Sequence, residues 1–233
     1  MKVLALSGGV HYFYRMMKDS FLNRKFRYTY SNATLYIILV NVLVFIATNY
    51  TNIAFRGLPL IYWLSLIPNL VNNYGWVWQF VTHMFVHGSF MHLLVNMYAL
   101  LFFGPILERR LGTKEFILFY FLCGILGGVV GYAFYLLLGM GNVAVLGASG
   151  AVYALMFLCA VFFPNMQVLL LFVIPLKLPY AVLVFTAIEI VSQVFSLSNG
   201  VAHLFHLTGV LIAWLYIVIR FRLNPIKVWR DNL

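Results

Sequence analysis

Apolar residues fill long stretches of this chain, and polar ones fall mostly in the gaps between them. A membrane span needs about 20 largely apolar residues to cross a hydrocarbon core of about 30 Å. On that criterion six spans are expected, near Thr34–Thr48, His87–Leu107, Phe116–Leu138, Val143–Phe163, Pro179–Leu197 and Val201–Ile219. Two further apolar stretches are broken. The connection from Tyr50 to Trp78 contains "LPLIYWLSLIPNLV", interrupted by proline and asparagine and rich in aromatics, which suits an interfacial loop. "MQVLLLFVIPLKL" (Met166–Leu178) is too short to cross and carries Pro175, so it is expected at the membrane surface. The expected fold class is all-α, a polytopic membrane protein built as a six-helix bundle.

Composition supports that pattern. Of 233 residues, 64% are hydrophobic and 9% charged, against about 25% charged in a soluble domain. Mean hydropathy is +0.97. The net charge of +10 would suggest nucleic acid in a soluble protein, but here the basic residues cluster between apolar runs. The start holds Lys2, Arg15, Lys18, Arg24, Lys25 and Arg27. The connection after the second span holds Arg109, Arg110 and Lys114, and that after the fourth holds Lys177. The tail holds Arg220, Arg222, Lys227 and Arg230, whereas the alternate connections hold only Arg56. Positive charge marks the cytoplasmic side, so both termini are expected there. Residues 1–33 then form a basic amphipathic cytoplasmic segment on the bilayer, not a signal peptide. Residues 34–219 form the membrane domain and 220–233 a basic tail. Cys123 and Cys159 sit inside apolar runs and are expected to be buried and free, with no metal spacing.

Small residues recur at helical spacing in "CGILGGVVG", as Gly124/Gly128 and Gly127/Gly131, and again at Gly209/Ala213. Such pairs let helices approach closely. No internal repeat is evident, which disfavours a symmetric transporter.

Polar groups inside spans are costly and mark function. Depth along each helix follows from a rise of 1.5 Å per residue. Ser149 precedes Pro164 by 15 residues, or roughly 22 Å. His206 precedes Arg220 by 14, or roughly 21 Å. Asn96 and His92 precede Glu108 by 12 and 16, or roughly 18 and 24 Å. Three helices thus bring a serine, a histidine and an Asn/His pair to one level. A serine hydroxyl needs a base to become a nucleophile, and His206 is the candidate. Acyl transfer also needs donors for the developing oxyanion. His92, Asn96 and the Ser149 backbone N–H are candidates, the first two lying on one helix face. Gly147 and Gly150 leave room for close approach. Glu189 is the one acid within a span, read as paired with a Ser, Thr or His on a neighbour. A Ser–His dyad is the more economical expectation than a triad through it. His83 and His87 are expected to hydrogen-bond with the first long loop.

At these residues the chain resembles the rhomboid intramembrane serine proteases. The matching pieces are "HGSFMHLLVNM" (His87–Met97), "GASG" (Gly147–Gly150) and "HLTG" (His206–Gly209), in the family's order on its second, fourth and sixth spans. The resemblance implies Ser149 as nucleophile, His206 as base, and His92 and Asn96 at the oxyanion hole. It implies Tyr153 packed against the imidazole and Gly209 completing the histidine motif. His203 lies a turn nearer the outer surface. Glu108 with "RRLG" matches a structural position, and Gln79 stands where many members have Arg. The implied activity is cleavage of transmembrane segments of membrane-protein substrates near their outer end, in the lipid bilayer. No metal, cofactor or nucleic acid is expected, and the expected location is a bacterial cell membrane. Two rivals stand beside it. A rhomboid-like protein that binds transmembrane clients without cutting would lack the serine or the histidine. A zinc enzyme built on His83, His87 and His92 would lack the glutamate of H-E-x-x-H.

Overall fold

The computed structural model describes residues 26–170, 173–195 and 201–233. Most of the expected amphipathic segment, residues 1–25, lies outside the described residues. The chain is mainly helical. Helix α1 (Ala33–Asn49) is followed by a hairpin of β1 (Ala54–Phe55) and β2 (Leu58–Pro59). Short helices α2 (Leu60–Leu64), α3 (Pro68–Tyr74) and α4 (Gln79–Thr82) come next, then a 3-10 turn, His83–Phe85. The long helices α5 (Phe90–Leu111) and α6 (Thr113–Leu137) precede α7 (Ser149–Phe162). A hairpin of β3 (Gln167–Leu170) and β4 (Ile174–Lys177) leads to α8 (Leu178–Phe195) and α9 (Val201–Tyr216). A π-turn, Ile217–Phe221, and α10 (Pro225–Asn232) end the chain. Phe90–Leu111, Thr113–Leu137 and His203–Phe221 are long and apolar enough to cross a membrane. Ala33–Asn49, Ser149–Phe162 and Leu178–Ser192 are apolar but shorter.

Helix α7 is the axis of the bundle. It is buried on nearly every side, and α5, α6, α8 and α9 all pack on it. An all-apolar sequence suits that position. Its start corrects the expected span: the helix begins at Ser149, not near Val143. Val145 is extended and pairs with Leu66, whose N–H and C=O exchange hydrogen bonds of 2.9 and 2.8 Å with it. Gly147 then takes φ +116°, a conformation that residues with a Cβ avoid. Irregular backbone is stable in such surroundings only when protein satisfies its polar groups. The second expected span also starts late. Ser89 caps α5 by accepting from the His92 N–H, which leaves His87 outside the helix.

The first loop is ordered by its polar residues. Gln79 is fully buried; its Oε1 accepts from the Ile67 N–H at 3.0 Å and its Nε2 donates to the Tyr62 carbonyl at 2.9 Å. Trp63 stacks with Trp76 and Trp78. The other end is ordered by two acids. Glu108 accepts from the Ala33 and Thr34 N–H groups and from the Thr34 and Thr113 hydroxyls. It therefore closes the unpaired first turn of α1 from a different helix. Glu115 takes a two-pronged pair from Arg220 at 2.9 and 2.8 Å. Cys123 and Cys159 are buried and free.

Candidate active site

Ser149 is the first residue of α7, and Ala148 is its N-cap. The N–H groups of that first turn lack intrahelical partners, and the helix dipole favours negative charge there. A cavity of about 220 Å³ opens at this end, lined by His83, His92, Gly147, Ser149 and Gly150 among others. Gly147 does more than turn the chain. A Cβ there would come within 2.8 Å of His92 Nε2, so glycine lets the imidazole lie against the backbone just before Ser149. The Gly147 N–H is held by the His83 carbonyl at 2.9 Å.

Helices α7 and α9 meet through glycine. A Cβ on Gly209 would collide with the Gly150 carbonyl, and one on Gly150 would come 3.2 Å from the Phe205 carbonyl. This backbone contact fixes the relative height of the two helices. It places His206, one turn before Gly209, beside Tyr153, one turn after Ser149. The Tyr153 and His206 rings stack with centroids 4.2 Å apart and planes 8° from parallel.

Glu189 of α8 completes the cluster, paired with histidines of a neighbouring helix as its sequence position led one to expect. Its Oε1 accepts from the Tyr153 hydroxyl and lies 2.9 Å from His206 Nδ1. Its Oε2 is hydrogen-bonded to His203 Nδ1. The only signal in the sequence was its being an acid inside an apolar helix. Glu189, His203 and His206 hold their ligand atoms within 4.8 Å of one another.

Other expected residues fall differently. Asn96 is buried, and its amide Nδ2 donates to the His92 carbonyl at 2.9 Å. Neither it nor His206 is among the residues lining the cavity. His83 Nδ1 meets the Gln79 carbonyl at 2.9 Å, four residues back in the adjoining helical turn and not in the first long loop. Burial pushes its pKa down to about 4, so it stays neutral at neutral pH. His87 departs from expectation. Neither ring nitrogen has a hydrogen-bond partner among the described residues, and its ring meets His92 edge-on at 4.9 Å. Only its carbonyl is bonded, to Asn49 Nδ2 at 3.1 Å. The paired glycines of α6 also work differently from simple helix contact. Gly124, Gly128 and Gly131 receive the side chains of Met84, His83 and Phe205.

A half-buried serine thus opens α7, with an imidazole stacked on the tyrosine one turn below it. The rhomboid domain family model matches residues 74–223, and the chain belongs to the rhomboid family. It is similar to YdcA of Bacillus subtilis (strain 168), a candidate rhomboid protease, at 37% identity over 41% of this chain and 46% of that protein. It is similar to rhomboid-like protein 11, chloroplastic, of Arabidopsis thaliana at 32% identity over 54% of this chain and 40% of that one. The rhomboid protease GlpG of Haemophilus influenzae is 28% identical over 65% of this chain and 74% of that one. The chain thus spans less than half the length of the first two. Family and apolar helices together make it an integral membrane protein.

Proposed function

We propose that the protein is a multi-pass intramembrane serine endopeptidase that cuts transmembrane segments of membrane-protein substrates near their outer end. The observation that supports this best is Ser149 in the lining of the cavity, with Tyr153 one turn below it carrying the His206 ring. In this reading all six apolar helices cross the bilayer of a bacterial cell, with both termini on the cytoplasmic side. The short α7 leaves Ser149 below the outer surface, since 14 residues span only about 21 Å.

His206 takes the Ser149 proton as the hydroxyl oxygen attacks the scissile carbonyl. The oxyanion is received by the Ser149 N–H and the His92 ring. Asn96 joins them: an amide carries two hydrogens, and the His92 carbonyl engages one. His206 then gives its proton to the leaving amine, and water resolves the acyl-enzyme. Gly147, Gly150 and Gly209 hold the geometry, and Tyr153 fixes the ring. The substrate must unwind locally, because a helix hides its carbonyls in hydrogen bonds.

Cleavage of a reporter transmembrane protein in lipid vesicles tests this. Wild type cuts, and Ser149→Ala and His206→Ala do not. Undiminished cutting by either variant, or complete inhibition by a chelator, overturns the assignment. Binding of reporter without cutting by wild type would identify the non-proteolytic alternative.

A further inference from the structure

Glu189 is 6% exposed, on a helix that is otherwise almost wholly apolar. A buried carboxylate is costly unless it is paired and hydrogen-bonded. Its partners are all on one side: the Tyr153 hydroxyl, His203 Nδ1 and His206 Nδ1. A neutral imidazole donates from one nitrogen and accepts at the other, and an ionised carboxylate only accepts. A hydrogen on His206 Nδ1, which stands 2.9 Å from Oε1, would leave the lone pair on Nε2. That is the tautomer a general base toward Ser149 requires.

We infer that Glu189 is the positioning acid of a Ser149–His206–Glu189 triad, with His203 and Tyr153 holding its two oxygens. The inference rests on the protease reading above. In the resting enzyme Oε1 lies within 2.9 Å of His206 Nδ1 but off the direction of the ring N–H. Catalytic hydrogen bonds are often misaligned before substrate binds and tighten in the complex. The proton balance is closed. As the bond from Ser149 Oγ to carbon forms, the hydroxyl proton moves to His206 Nε2. The imidazolium keeps its Nδ1 hydrogen, directed at Glu189, and the carboxylate stays ionised. The Nε2 proton leaves with the amine when the C–N bond breaks. Water then supplies a proton to Nε2 as it attacks, and Ser149 Oγ recovers it when the acyl group departs. His203 does not touch the reacting atoms; it occupies Oε2 so that Oε1 cannot turn away.

Steady-state cleavage of the reporter substrate by Glu189→Gln, Glu189→Asp and His203→Ala, with thermal unfolding of each, tests this. The Gln amide can offer Nδ1 a donor and so select the wrong tautomer. Glu189→Gln should lose about 10²-fold or more in kcat with KM within about twofold. Glu189→Asp should recover part of that loss, and His203→Ala should cost about tenfold. Wild-type kcat in Glu189→Gln overturns the triad, and so does a loss confined to KM. If Glu189→Gln does not fold, His203→Ala decides: a fall in kcat at constant KM supports the triad, and an unchanged kcat overturns it. Ser149→Ala separates the two claims. If it still cuts, the protease reading fails; if it is silent while Glu189→Gln is fully active, only the triad fails.

Discussion

Glu108 and Glu189 are both buried glutamates in apolar helices, and they do opposite kinds of work. Glu108 is 0% exposed and takes its hydrogen bonds from two backbone N–H groups and two threonine hydroxyls. None of these donors gives up a proton near neutral pH. Glu189 takes its contacts from side chains alone, two imidazoles and a phenol. Burial is nearly the same at both sites, so burial does not separate them. The chemistry of the partners does. Glu108 fastens the start of α1 to the end of α5. Glu189 faces a histidine stacked one helical turn from a serine.

The sharpest way to break this contrast lies at the histidine. His206→Ala should lower kcat by about 10³-fold or more while leaving the unfolding temperature close to wild type, measured by reporter cleavage and thermal denaturation in micelles. The two glutamates should then split. Glu189→Gln falls in kcat as described above and stays folded. Glu108→Gln should keep its kcat per folded molecule but lose about 2–3 kcal/mol of stability, because buried donors lose their acceptor; denaturant titration reads this. If Glu108→Gln lost kcat at full stability, the division between structural and catalytic carboxylates would fall. Gly209→Ala comes next. Its Cβ meets the Gly150 carbonyl, so α7 and α9 must part. A cost of about 1–3 kcal/mol is expected, with reporter cleavage falling about tenfold as the His206 ring moves from Ser149. Gln79→Ala is the mildest. It leaves the buried Ile67 N–H without its acceptor and should cost about 1–2 kcal/mol with kcat unchanged.

Helix rise is fixed, and proline and arginine mark the helix ends, so depth counting could set Ser149 and His206 near one level; the structure puts His206 beside Tyr153, one turn from Ser149. Family membership was legible from three short motifs. The start of α7 was not. Residues 143–148 are as apolar as the helix that follows, so hydropathy does not distinguish extended chain from helix there. The pairing of Val145 with Leu66 that holds the strand depends on a distant loop. Glu189 was visible as an intramembrane acid, but its partners depend on how α8 is rotated about its axis. An almost wholly apolar helix carries little pattern to fix that rotation. The short loop helices were hidden in the same way, because tryptophan stacking and the Gln79 amide organise them.

The most direct test of the central claim is cleavage of a reporter transmembrane protein in vesicles by Ser149→Ala beside wild type, with both proteins shown to be equally folded. The account predicts a cut reporter with wild type and an intact one with Ser149→Ala. Equal cleavage by the two would contradict it, since no other residue in this account can serve as the nucleophile.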